Sequence, residues 1–146
     1  MNALLEAIAK GWSWKIGKPA VILSQNSFGN VIVQTEHDWF FRIIPEDPRC
    51  VLLGTSREEM EEETSTEEFK LDWEMKILVE KAEIILGKLD EGQCYHMVIP
   101  GILGGKYHVS NIKKISLTEL LDFSGYVASK IENLPDGIKV EFRVIE

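Results

Sequence analysis

The sequence is short of cysteine: two residues, Cys50 and Cys94, in a chain of 146. Two cysteines cannot make a disulfide framework, and the expected state is a pair of reduced thiols. Basic charge is also scarce, with 16 Lys and Arg against 24 Asp and Glu and a net charge of −8. Binding nucleic acid through its phosphates needs clustered Lys and Arg, so this balance excludes that class of partner. No apolar run approaches the roughly 18 residues that a membrane helix needs. The opening stretch M-N-A-L-L-E-A-I-A-K-G-W has no basic start and no small-residue cleavage site, and Glu6 interrupts its apolar run. It reads as an amphipathic helix and not a secretion signal, so the expected compartment is the cytoplasm, with no membrane partner.

What is present fits an ordinary folded protein: 45% hydrophobic and 27% charged residues, enough chain for one real core. The charge is unevenly placed. Residues 1–56 are neutral and residues 75–146 carry −1, whereas residues 57–74 hold nine acids against Arg57 and Lys70, a net −7. Nearly the whole imbalance lies on one segment, which suits attraction to a basic partner.

In chain order, residues 1–17 predict the opening helix, with Leu4, Leu5, Ile8 and Trp12 on one side. Residues 18–54 predict a β meander: four apolar runs, at 20–24, 31–33, 39–44 and 50–53, separated by turn-forming residues. Residues 55–89 predict acidic helices. Ser56 to Glu59 and Ser65 to Glu68 both fit the capping box, in which a Ser oxygen and a Glu carboxylate satisfy the first free amides of a helix. The expectation is a short helix at about 57–63 and one long helix at about 66–88. That long helix carries two apolar stripes, Leu71, Met75, Leu78, Ala82, Ile85 and Leu89 on one side and Phe69, Trp73, Ile77 and Ile84 on the other. A helix apolar on two sides is covered on two sides. Either the sheet and a terminal helix cover it, or a partner docks on Phe69 and Trp73. Residues 90–146 predict a glycine-rich loop, a short strand at 112–115, a helix opened by Ser116 to Glu119, a turn at 135–137 and a closing strand at 138–145. The fold class expected is therefore α+β in a single domain: an antiparallel meander packed against a long central helix and a C-terminal helix-strand unit.

The glycine stretch from Gly92 to Tyr107, G-Q-C-Y-H-M-V-I-P-G-I-L-G-G-K-Y, is the first place to look for chemistry. A phosphate loop requires G-x-x-x-x-G-K-[ST]. Here Gly101 to Lys106 is one residue short, and Tyr107 stands where the Ser or Thr belongs. Gly101, Gly104 and Gly105 then read as structural bends with positive φ, and Tyr107 as part of the same motif. Cys94, His96 and His108 lack the paired spacing of a zinc site, and nothing marks Cys94 as an activated nucleophile. No catalytic residue, metal ligand or cofactor site is expected, and the chain reads as a non-enzyme.

Two patterns stand together. One is Phe28-Gly29-Asn30 followed by W-F-F-R-I-I-P-E from Trp39 to Glu46. The other is the glycine stretch itself, followed by Asn111, E-L-L-D-F-S-G from Glu119 to Gly125 and L-P-D-G from Leu134 to Gly137. Over roughly residues 18–145 the chain resembles the C-terminal domain family of immunity proteins that protect bacteria from type VI secretion DNase effectors. The resemblance implies a protein that neutralises a cognate toxin, an effector nuclease, by binding it, with no catalytic residues to carry over. The longer immunity proteins have an additional N-terminal domain, where here only the short helix precedes the match. The expected contact charges are Glu58, Glu59, Glu61, Glu62, Glu63, Glu67, Glu68 and Asp72, with Phe69 or Trp73 as an anchor. The rival reading is a small-molecule or peptide-binding module that uses the glycine loops, with Tyr95, His96 and Tyr107, as a pocket rim.

Overall fold

The computed structural model describes residues 2–132 and 134. Helix α1 spans Ala3–Ile16, opened by the Asn2 side chain, which accepts from the Leu5 amide at 2.8 Å, and closed at Gly17. The meander follows as β1 (Pro19–Gln25), β2 (Val31–Thr35), β3 (Phe40–Ile44) and β4 (Arg49–Gly54). Each strand is antiparallel to the next, giving the order β1-β2-β3-β4. The β1–β2 turn is built on Asn26, whose Oδ1 accepts from the amides of Phe28 and Asn30, both at 3.0 Å. Gly29 in that turn has φ +74, and a Cβ there would also meet Leu120 Cδ2 at 2.8 Å and Cys94 Sγ at 3.2 Å.

Period-two alternation sends neighbouring residues to opposite faces of the sheet. On one face Val31, Val33, Ile43, Phe41 and Cys50 meet α1 and helix α5 (Leu117–Glu132), through Ile8, Trp12, Leu120 and Leu121. On the other, Ile32, Phe40 and Leu53 are covered by Met60 of α2 (Arg57–Thr64) and by Phe69 and Trp73 of α3 (Glu67–Glu74). The arrangement is three layers, with the sheet between two pairs of helices.

A third cluster lies beside these layers. Helix α4 (Lys76–Leu86) puts Leu78, Val79, Ala82 and Leu86 against Phe28, Tyr95, Met97 and Ile112. The last three belong to a two-stranded antiparallel sheet, β5 (Gln93–Met97) with β6 (Ile112–Ser116). It is tied to the meander turn by the Tyr95 amide, which donates to the Ser27 carbonyl at 2.8 Å.

The class is α+β, and the four meander strands and the 112–115 strand fall where expected. Three local expectations are corrected. The stretch 66–88 is not one helix: Met75 sits at φ 47, ψ 39 and splits it into α3 and α4. The Asn26 carboxamide donates to the Trp73 carbonyl at 2.9 Å, taking up an acceptor freed by the break. The break rotates one helix's stripes relative to the other's, so α3 gives Phe69 and Trp73 to the sheet while α4 gives the 78/82 side to β5–β6. Among the described residues α4 is covered by β5–β6 and Phe28, while α1 and α5 pack chiefly on each other. The second correction is β5, which takes up Cys94 and His96 from what reads as loop. The third is a cap: Thr66, not Ser65, opens α3, its hydroxyl accepting from the Phe69 amide at 3.1 Å. The turn expected at 135–137 and the strand expected at 138–145 lie outside the described residues.

Candidate interaction face

Helices α2 and α3 form because each begins with a hydroxyl residue followed by acids, which suit the positive end of a helix dipole. The Ser56 hydroxyl accepts from the Glu59 amide at 3.2 Å, and the Glu59 carboxylate reaches back to the Thr55 amide at 3.0 Å. Only Met60 of α2 is buried and nothing of α3 is fully so. As a result Glu58, Glu59, Glu61, Glu62, Glu63, Glu67, Glu68 and Asp72 are all solvent-exposed on two consecutive helices. Glu61 stands 3.9 Å from Arg57, and Glu59 serves the cap.

Phe69 and Trp73 turn inward. Their rings stack on each other with centroids 5.9 Å apart, and the Arg42 guanidinium lies over both, at 5.4 and 5.2 Å from the two centroids. Each is half-buried against the outer face of the sheet.

Beneath α3 lies a polar network, mostly buried, of which the sequence-based site includes only Asp72. Arg42 Nε donates to Asn30 Oδ1 at 3.0 Å, and Arg42 Nη1 donates to Asp72 Oδ2 at 2.6 Å. Asn30 Nδ2 donates to both carboxylate oxygens of Glu46, at 3.1 and 2.7 Å. Burial pushes Glu46 up to about 7, opposed by its own backbone amide, by Asn30 and by the charge of Arg42. The signal was in the strand pattern: an arginine inside W-F-F-R-I-I is costly to bury unless it has partners. The chain supplies three kinds at once, an amide, a carboxylate and two aromatic faces.

The glycine stretch is architecture around one side chain, Asn111. Its carboxamide accepts from the Ile99 amide at 2.9 Å and donates to the carbonyls of Ile99 and Lys106, at 2.9 and 3.0 Å. Short 3-10 turns cover Gly101–Leu103 and Val109–Asn111. Of the three glycines expected to bend with positive φ, only Gly104 does so, at φ +90. Gly105 is required for closeness instead, since a Cβ there would meet the Ile99 carbonyl oxygen at 1.7 Å. Gly101 lies against Asp47 and the Tyr107 ring, and its amide donates to the Glu46 carbonyl at 2.9 Å.

Cys94 is buried beside Gly29, and burial pushes its thiol up to about 12, so it stays protonated at neutral pH. Burial lowers His96, helped by the nearby charge of Lys113. Tyr95 faces the core and donates its hydroxyl to the Gly87 carbonyl at 2.6 Å. Tyr107 is exposed and lines a different region, a groove beside α4, so Tyr95 and Tyr107 do not share a rim. Among the described residues no group of three or more His, Cys, Asp or Glu side chains converges as a metal site. Nor, among them, is any helix long and apolar enough to cross a membrane.

The groove was also missed by the sequence reading. It has a volume of about 570 Å³ and is lined by Leu71 and Asp72 of α3, Ile77, Leu78 and Lys81 of α4, and Tyr107, among others. Leu71 is 70% exposed, Ile77 71% and Tyr107 56%.

Comparison with known proteins bears on this face. The fold is similar to the crystal structure of Atu4351 from Agrobacterium tumefaciens, with a TM-score of 0.57 and 18% identity. The match covers 84% of this chain and 62% of that one, so the chain spans under two thirds of the length of that structure. No curated protein matches. A family model does, over residues 55–127, half of the chain, running from the start of the acidic helices through the groove and into α5. The chain belongs to the family described as T6SS immunity protein Tdi1, C-terminal.

Proposed function

We propose that this protein is an immunity-type binding protein that neutralises a cognate type VI secretion effector, a nuclease, by occupying its basic surface. The observation that carries the reading is the exposure of nine acids on α2 and α3 in a member of an immunity-protein family. A nuclease must present cationic side chains to bind phosphates. A clustered acidic face is drawn to that surface and blocks it, without catalysis, cofactor or metal. The layers beneath support the role: capped helices held over a rigid sheet keep the charges in a fixed array, which lowers the ordering cost of binding. The domain acts as one unit in the cytoplasm, where the effector arrives.

The test begins with the neighbouring reading frames: a secreted nuclease encoded there is taken as the effector and inactivated in its nuclease site, and finding none counts against the reading. Glu58, Glu62, Glu67 and Glu68 are each replaced by lysine; none of these four carboxylates is used in a cap or an ion pair with a described residue. The expected result is association slowed by at least ~10-fold, with a weaker dependence on salt. Unchanged association would remove the acidic helices from the interface.

A further inference from the structure

A charged face gives speed and selectivity, but tight binding usually rests on a few desolvated apolar side chains near the interface centre. Phe69 and Trp73 are half-buried, with their rings engaged by Arg42 and the sheet, and so offer less free apolar surface. Leu71 points the other way. It stands one turn from Glu67, Glu68 and Glu74, all exposed, so it is an apolar knob within the acidic array. Leu71 and Ile77 come together only because the chain breaks at Met75, and between them and Tyr107 lies the 570 Å³ groove. Exposed apolar surface of this kind, concave and bordered by charge, marks an interaction site.

The rim is polarised. Asp72 lines the α3 side, while Lys76 and Lys81 line the α4 side. The matching surface is an apolar side chain flanked by a basic group towards α3 and by an acid towards α4. Ile84 is 81% exposed on α4 but does not line the groove, which makes it an internal control.

We infer that the Leu71–Ile77–Tyr107 groove is the anchor at which the basic effector docks, with the acidic helices as its steering rim. This rests on the effector-binding reading above. The experiment measures the affinity of the same inactivated effector for wild type and for Leu71→Glu, Leu71→Ala, Ile77→Ala and Ile84→Ala. Melting temperatures are followed in parallel; because these side chains are exposed, all four variants should melt within a few degrees of wild type. Leu71→Ala and Ile77→Ala are expected to weaken binding by ~10-fold or more and Leu71→Glu by ~100-fold, mainly through faster dissociation, with Ile84→Ala near wild type. If wild type fails to bind the effector, both readings fall. If wild type binds and Leu71→Glu binds equally well, the anchor is elsewhere and the effector-binding reading stands. Should wild type self-associate and Leu71→Glu be monomeric, the groove is a contact between copies of this chain, which also overturns the inference.

Discussion

Arg42 and Asp72 form an unequal ion pair: the arginine side chain is 7% exposed and the aspartate 70%, with Nη1 and Oδ2 2.6 Å apart. The buried partner depends on the exposed one. Arg42 brings a full charge under α3, and Asp72 is the only carboxylate in the network that faces solvent while touching it. Asp72 therefore has two roles, as a member of the acidic face and as the tie that holds that face to the sheet.

Replacing Arg42 should loosen α3 more than replacing Asp72. Arg42→Ala removes the guanidinium from between Asn30, Asp72, Phe69 and Trp73, and should cost about 3 kcal/mol in urea unfolding. Asp72→Asn keeps a hydrogen-bond acceptor and, with solvent screening, should cost no more than about 1 kcal/mol. Arg42→Lys should not restore stability, because Nε and Nη1 are used in different directions and an ammonium cannot reproduce the fork. Equal losses for alanine at 42 and asparagine at 72 would mean that the network contributes little.

Glu46 makes stability depend on pH. Its folded value of about 7 lies above the ordinary 4.5, so between these values the folded chain binds more protons than the unfolded one. Stability should therefore fall as pH rises through that window, by at most about 3 kcal/mol, and this contribution should level off above it. Glu46→Gln cannot ionise and should flatten the slope in thermal or urea unfolding between pH 5 and pH 7, limits set by those two values. A slope that persists unchanged in the variant would assign it to another group.

Helices α1 and α5 cross at two glycines. A Cβ on Gly125 would lie 2.0 Å from the Gly11 carbonyl oxygen, and one on Gly11 would lie 2.6 Å from the Leu121 carbonyl oxygen. Backbone cannot move aside as a flexible side chain can, so Gly125→Ala should cost more than about 3 kcal/mol or prevent folding. Gly17→Ala is the comparison. It has φ +79 but nothing within 4 Å, so it should cost only about 1 kcal/mol. Circular dichroism melts of the two variants would separate crowding from backbone strain.

Cys94 should resist thiol reagents. Its thiol is buried and pushed up to about 12, whereas Cys50 is half-buried and less strongly raised. Under native conditions at pH 8 a chromogenic disulfide should label Cys50 slowly and Cys94 only on unfolding. Rapid labelling of Cys94 in the folded protein would show that the seam between Gly29 and α5 opens readily.

Much of this protein is written in short-range patterns, and those were readable. The meander shows because alternation and turn residues act over five to seven residues at a time, and Asn26 and Gly29 announce their turn. The ends of α2 and α5 show because a cap is a local hydrogen bond, as between Ser56 and Glu59 or Ser116 and Glu119. The acidic segment shows because charge is a property of composition. Other features arise where distant segments meet. The helix break at Met75 is supported by Asn26, some fifty residues earlier. Strand β5 exists because β6 lies beside it, and Arg42 is tolerated because α3 brings two aromatic rings and a carboxylate over it. Periodicity along a helix cannot tell which apolar stripe will be covered, because coverage depends on what packs there. Here packing half-buried Phe69 and Trp73 against the sheet and left Leu71 and Ile77 in the open, since a single left-handed residue turned the two halves of the helix toward different parts of the core.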